Sequence, residues 1–251
     1  MTLLDRNIDA LFYARKKLEF IFNILEGYEF GVGGGSVLKH VYYYIHREEM
    51  KQDSIEDLSS MPDIDIFPES HEEGRQIADK FQNEGFQFLG EHPVSTNRKY
   101  FYNGNRIDLV CPEAYLGNPA KIIKFFDMTQ CAFMVTNNLG YHLEDAFECV
   151  EKKRLLLNFV NNQFFSFKRV GKYMNRGFEM SPQDEMFLKK ALYDGKHYFY
   201  TREQYGSPTG EPVGIFPNGE KEAIVEEFDA ELISELREKR CEFTRDCGII
   251  G

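Results

Sequence analysis

Gly31-Val32-Gly33-Gly34-Gly35-Ser36 and, further along, Asp63-Ile64-Asp65-Ile66 are the two stretches on which the reading of this chain turns. In an extended strand residues i and i+2 point to one side, so Asp63 and Asp65 project together while Ile64 and Ile66 enter a core. Two carboxylates side by side suit a divalent cation. The glycine cluster lies between a short apolar run and a helical pattern, and a glycine turn leading into a helix offers backbone N–H groups to a phosphate. Strand, glycine turn, helix and paired carboxylates together are what metal-assisted transfer from a nucleoside triphosphate requires.

Working outward, Tyr28 to Val32 reads as the strand before the glycines, with Ser36 as N-cap of a helix burying Val37, Leu38, Val41, Tyr42 and Ile45. Upstream, Ile8, Leu11, Phe12, Leu18, Ile21, Phe22 and Leu25 recur at helical spacing and stop before Gly27. The polar stretch from Glu48 to Ser60 reads as a loop, and Glu69 to Glu84 as a helix closing on Gly85. Arg98 to Tyr102 and Arg106 to Val110 flank Asn103-Gly104, a strong hairpin signal. Parity within that hairpin turns Asp108 away from Ile107 and Leu109, and an antiparallel neighbour relation would bring it to the face of Asp63 and Asp65.

A short helix is expected over Pro119 to Phe126, then an apolar stretch to Val135. After Asn137-Asn138-Leu139-Gly140 helical patterns follow at about 142–160, 182–193 and 220–240, with turns at Tyr205 to Pro212 and Pro217-Asn218-Gly219. The expected architecture is an α/β (α+β) fold: residues 1–138 with a mixed, mainly antiparallel sheet, and residues 139–251 mostly helical.

The 251 residues, 42% hydrophobic and 15% aromatic, are ample for a packed core. A formal charge of −11 argues against polyanion binding by the whole surface, so any nucleic-acid contact must be local. Such a locality exists: Lys152, Lys153, Arg154, Lys168, Arg169, Lys172 and Arg176 fall in a stretch without Asp or Glu, interleaved with Phe164, Phe165, Phe167 and Tyr173. That is the composition of a single-strand or RNA-end platform. The five cysteines and six histidines show no zinc spacing, and no uncharged apolar run approaches the roughly 18 residues of a membrane helix. A cytoplasmic protein is the expectation, and neither a serine-hydrolase elbow nor a P-loop is present.

These residues resemble the polymerase-β-type nucleotidyltransferase superfamily, nearest to the head domain of class II CCA-adding enzymes and poly(A) polymerases. Gly34-Gly35-Ser36-Val37-Leu38-Lys39 and Asp63-Ile64-Asp65-Ile66 stand where that family has its first motif, and Phe125-Phe126-Asp127-Met128-Thr129-Gln130-Cys131-Ala132 where it has Arg-Arg-Asp-Phe-Thr-x-Asn-Ala. Divergent bacteriophage-encoded nucleotidyltransferases look similar in the Phe-Asp segment. The departures are Phe125 and Phe126 for the arginine pair, Cys131 for the asparagine, and Glu144-Asp145-Ala146-Phe147-Glu148, which lacks the arginine of the base-selecting motif.

The resemblance, over about residues 28–135, implies a mechanism. Asp63, Asp65 and Asp108 would hold two Mg²⁺ ions. Gly34, Gly35 and Ser36 would cradle the triphosphate with Lys39 in reach, and Asp127 and Thr129 would stand near the nucleotide sugar. The acceptor implied is an RNA, perhaps tRNA, 3′ end. Nucleotidylation of a protein or small molecule, and a non-catalytic nucleotide- or RNA-binding module, are the alternatives.

Overall fold

Ile64 and Ile66 on one strand and Ile107 and Leu109 on its neighbour are all buried, and their burial sets the middle of the sheet. The computed structural model describes residues 3–48, 63–91, 97–112, 115–160, 163–193, 200–201, 212–215 and 221–222.

The chain opens with helix α1 (Leu3–Lys17), and Leu18, at φ −100° and ψ 9°, breaks it from α2 (Glu19–Ile24). The single helix expected from the apolar spacing is therefore two, although Leu11, Leu18, Ile21, Phe22 and Leu25 are buried as the spacing required. Strand β1 (Phe30–Gly33) begins later than Tyr28 and runs into helix α3 (Gly35–His46). All five apolar residues assigned to the inner face of α3 are buried. Strand β2 (Ile64–Pro68) leads to α4 (His71–Asn83), whose N-cap Ser70 accepts from the Glu73 N–H. Then come β3 (Gln87–Glu91), β4 (Arg98–Tyr102) and β5 (Asn105–Leu109). Asn103 and Gly104, at φ 47° and 81°, make the two-residue turn between the last two.

The second part of the chain carries α5 (Pro119–Lys124), β6 (Phe133–Val135), β7 (Gly140–Leu143), α6 (Ala146–Glu151), β8 (Arg154–Leu155) and β9 (Phe159–Val160). It continues with α7 (Gln163–Met174), β10 (Glu179–Met180), α8 (Pro182–Tyr193), β11 (Tyr200–Thr201), β12 (Pro212–Ile215) and β13 (Lys221–Glu222). The expected helix over 142–160 is thus a strand, a short helix and two further strands. Most of the expected helix at 220–240 and the Pro217-Asn218-Gly219 turn lie outside the described residues, as does the loop at 51–60.

One mixed sheet of nine strands, ordered β13-β12-β7-β6-β1-β2-β5-β4-β3, organises the fold. Every neighbouring pair is antiparallel except β2 and β5, which run parallel because the chain crosses over through α4 and adds β3 and β4 outside them. The antiparallel relation expected for the Asp108 strand is corrected accordingly. Residue 138, where the sequence suggested a boundary, falls in the turn of the β6–β7 hairpin, and β12 extends the sheet beyond it.

A second seam ties the two parts together. The N–H groups of Thr129, Asn158 and Phe159 donate to the carbonyls of Leu156, Asp127 and Phe126. Asn158, 2% exposed, also donates its side-chain amide at 2.9 Å to the carbonyls of both Lys124 and Phe126. Asn158→Ala leaves two enclosed carbonyls short of a donor, so the unfolding free energy from urea titration should fall by about 1–3 kcal/mol. An unchanged midpoint would show that the seam carries no stability.

Candidate active site

Register brings the carboxylates together. Asp65 lies directly opposite Asp108 in the parallel β2–β5 pair, and Gly33 lies opposite Asp65 in the antiparallel β1–β2 pair. Directly paired residues point to the same side. The two aspartates therefore share the face opposite to the buried Ile64, Ile66, Ile107 and Leu109, and Asp63 shares their electrostatic field. Burial first, and then the charge of Asp108, push the Asp65 carboxyl up to about 7, with Asp63 adding to the rise. Asp108 is also raised, by burial, while Lys99, 3.7 Å from its Oδ2, works against the shift.

The glycine bend faces these groups. Gly34 adopts φ 72° and ψ −140°, a conformation that disfavours any side chain, and a Cβ there would sit 3.2 Å from Asp65 Oδ2. Gly34 itself occupies the N-cap of α3, not Ser36, whose hydroxyl donates instead to the Gly33 carbonyl at 3.2 Å. The Gly34 N–H is spent on the Phe133 carbonyl at 3.0 Å. Gly35 and Ser36 are first-turn residues whose N–H groups a helix leaves without an intrahelical acceptor, so the phosphate cradle expected of three residues narrows to these two.

Lys39 lies on the next turn of α3, and with Gly35 and Arg176 it lines a shallow cleft open to solvent. Burial and the charge of Arg176 lower the Lys39 pKa, and the same two causes lower that of Lys172, which feels Asp63 in the opposite sense. Arg169 acts on Asp65. Arg169 and Lys172 on α7 and Arg176 just beyond its end thus lie toward the bend and the carboxylates.

The basic segment read from the sequence as a single platform is divided by the fold. Lys152 and Arg154 are both engaged by Glu148, at 2.9 Å and 3.2 Å, and Lys153, at φ 51°, reaches over the Tyr42 ring. Lys168 is exposed on α7 beside Phe167, whereas the side chains of Phe164 and Phe165 lie outside the described residues.

Asp127 is buried and its Oδ2 accepts from Ser166 at 3.0 Å and from Arg169 at 2.7 Å. Its charge raises the guanidinium pKa of Arg169. Thr129 is fully buried with a hydroxyl that finds no hydrogen-bond partner. Cys131, in place of the asparagine, donates its thiol to Tyr173. Phe126, in place of an arginine, comes within 4.0 Å of the Cβ position above Gly34 and packs against Phe67. Phe147, in the Glu144–Glu148 segment, is core, packed on Phe133 and His142.

Asp65 and Asp108 share one face with Asp63 in their field, and their carboxylates are hard-oxygen groups of the kind that Mg²⁺ takes. Among the described residues no group of three or more His, Cys, Asp or Glu side chains stands close enough together to hold a metal ion. Sequence reasoning did not single out Phe126 as a wall of the site or Lys99 as the partner of Asp108. Hairpin register, readable from Asn103-Gly104, held the signal for Lys99.

No family model matches the sequence, and comparison with curated proteins gives no match. Among solved structures the chain is similar to a CCA-adding enzyme in complex with ATP, at TM-score 0.51 and 17% identity over 74% of this chain and 46% of that one. Less similar are a tRNA nucleotidyltransferase complexed with a primer tRNA and an incoming ATP analogue, TM-score 0.43 and 12% identity over 73% and 50%. A tRNA-processing enzyme with CTP gives TM-score 0.42 and 11% identity over 72% and 46%. Over the matched residues the fold is therefore similar to that of the CCA-adding enzyme in complex with ATP, and the chain spans about half the length of these proteins.

Two outcomes follow from the electrostatics. The folded-state pKa of Asp65 is raised, so the native state binds the extra proton and loses stability as pH climbs from the ordinary carboxylate range through about 7. Asp65→Asn removes that loss: without metal at pH 8 its Tm should exceed the parent's, while MgCl₂ should raise the parent's Tm more than the variant's. A lower Tm for the variant, or equal responses to MgCl₂, would contradict the assignment. Gly34→Ala, strained by its positive φ and crowded against Asp65, should cost about 1–2 kcal/mol of stability in denaturant titration.

Proposed function

We propose that this chain transfers a nucleoside monophosphate from a nucleoside triphosphate to an acceptor hydroxyl, and that the acceptor is an RNA 3′ end. The observation that carries this reading is the Asp65–Asp108 pair in register beneath the glycine bend at the start of α3. Mg²⁺ held by Asp63, Asp65 and Asp108 would supply charge neutralisation at the α-phosphate.

The chain's own groups account for the rest. The Gly35 and Ser36 N–H groups and the N-terminal end of α3 attract the β- and γ-phosphates, with Lys39 and the cations of α7 behind them. Phe126 stands beside Gly34, its ring 4.0 Å from where a Cβ there would lie. Asp108 lies on β5, nearer than β2 to the β3 edge of the sheet, and in this reading the acceptor approaches from that side. The acceptor oxygen bonds to the α-phosphorus as the bond to the β-phosphate breaks, and pyrophosphate leaves.

An RNA acceptor is supported by the fold shared with the ATP-bound CCA-adding enzyme and by the local concentration of cations in an acidic chain. A protein or small-molecule acceptor is favoured by one observation, the burial of Phe147 in a segment that lacks the base-selecting arginine.

Incubation with α-labelled ATP, Mg²⁺ and total RNA should place label in RNA. Label in protein alone would move the acceptor to protein, and absence of any Mg²⁺-dependent turnover with all four nucleotides would leave a binding module. Asp108→Ala should slow transfer about a hundredfold or more while changing nucleotide affinity far less.

A further inference from the structure

The face of the sheet that bears the carboxylates does not stop at them. Register carries it outward: Asp108 lies opposite Lys99, Arg106 opposite Phe101, and Phe101 opposite Gln87. Arg106 and Asp108 are two apart on β5, and Lys99 and Phe101 two apart on β4, so all four side chains share one side. The other side of these strands holds the buried Tyr100 and Ile107 and packs into the core. Phe101 is 39% exposed and Leu89 50% exposed, and Lys99 is about half exposed. On this side β3 to β5 present Asp108 as their sole carboxylate, since Glu91 pairs with Arg98 across the opposite face.

The result is an open aromatic ring with a guanidinium beside it and an ammonium two residues along its own strand, a diagonal step of about 7–8 Å from Asp108. In a chain of charge −11 that placement has a physical use. A phosphodiester approaching three aspartates is repelled, and Arg106 and Lys99 offset that repulsion at the point of approach. A lone exposed ring cannot read a duplex edge, but any unpaired base can stack on it. A protein partner would need a broader apolar area than Phe101 and Leu89 provide.

We propose that the open face of β3–β5 seats the single-stranded 3′ end of the nucleic-acid acceptor, one base stacked on Phe101 and its phosphates against Arg106 and Lys99. This rests on the reading of the three aspartates as a nucleotidyl-transfer centre. It places acceptor recognition on the catalytic sheet itself, apart from the basic face of α7 that borders the glycine bend.

The test is fluorescence anisotropy of the full chain with a 5′-fluorescein single-stranded RNA of about twelve nucleotides, without nucleotide. Phe101→Ala should weaken binding about tenfold or more, and Phe101→Trp should restore it. Arg106→Gln should weaken it and reduce the slope of log affinity against log salt by about one. Affinity for a fluorescent ATP analogue should be the same in all of these chains. Equal RNA affinity of Phe101→Ala and parent, or a parent that binds no single-stranded RNA, overturns the proposal. Transfer to RNA that is indifferent to Phe101 removes this surface and leaves the proposed function standing. RNA binding that depends on Phe101 in a chain without transferase activity does the reverse.

Discussion

The parallel pairing of β2 with β5 is the constraint on which the rest depends. It holds Asp65 and Asp108 side by side although their charges repel, and burial together with that repulsion lifts the Asp65 carboxyl to about 7. What opposes it is the other side of the same two strands, where Ile64, Ile66, Ile107 and Leu109 are removed from water. Full burial of such side chains stabilises by about 1.5–3 kcal/mol each, more than enough to hold two like charges in a partly screened setting. The strand period of two lets one strand pair do both things, core on one face and charge on the other.

Around that pair, the bend and α7 divide the electrostatic work. Gly34 gives its N–H to Phe133 and its conformation to the turn, so the positive end of α3 points at the carboxylate face without a side chain in the way. Arg169, locked to the buried Asp127, is both a strut between the sheet region and α7 and a source of positive field at Asp65. Asp127 is buried while Arg169 is more than half exposed, so loss of the arginine, which leaves the enclosed carboxylate with Ser166 alone, is the costly side of the pair. The Asn158 clamp on the Lys124 and Phe126 carbonyls fixes the same segment from below, so Phe126 is held over the bend by backbone contacts and not by its ring alone.

Much of this was legible in the chain. The Asp63-Ile64-Asp65-Ile66 alternation, the Asn103-Gly104 turn and the apolar face of α3 each carry a local physical rule, and each appears in the fold as read. The direction of the Asp108 strand was not legible, because a crossover through α4 and the insertion of β3 and β4 at the edge are non-local choices. Ser36 resembled an N-cap by residue type, yet Gly34 alone can adopt the left-handed conformation that starts the helix. The cations at 152–176 formed one group in sequence, but Glu148, just upstream of that window, neutralises two of them while α7 turns others toward the site. The break at Leu18 left no clear sequence signal, since the apolar spacing continues through it.

The seating of α1 has a kinetic corollary. Leu11 is pressed against β7 so closely that a Cβ at Gly140 would lie 2.9 Å from its Cδ1, and the same helix lies along α3. During synthesis α1 leaves the ribosome ahead of the strand that receives it, which emerges only after Asp63, Asp65 and Asp108 have been translated. The helix must wait as an amphipathic segment with its sticky side uncovered, and chaperone demand should be greatest in that interval.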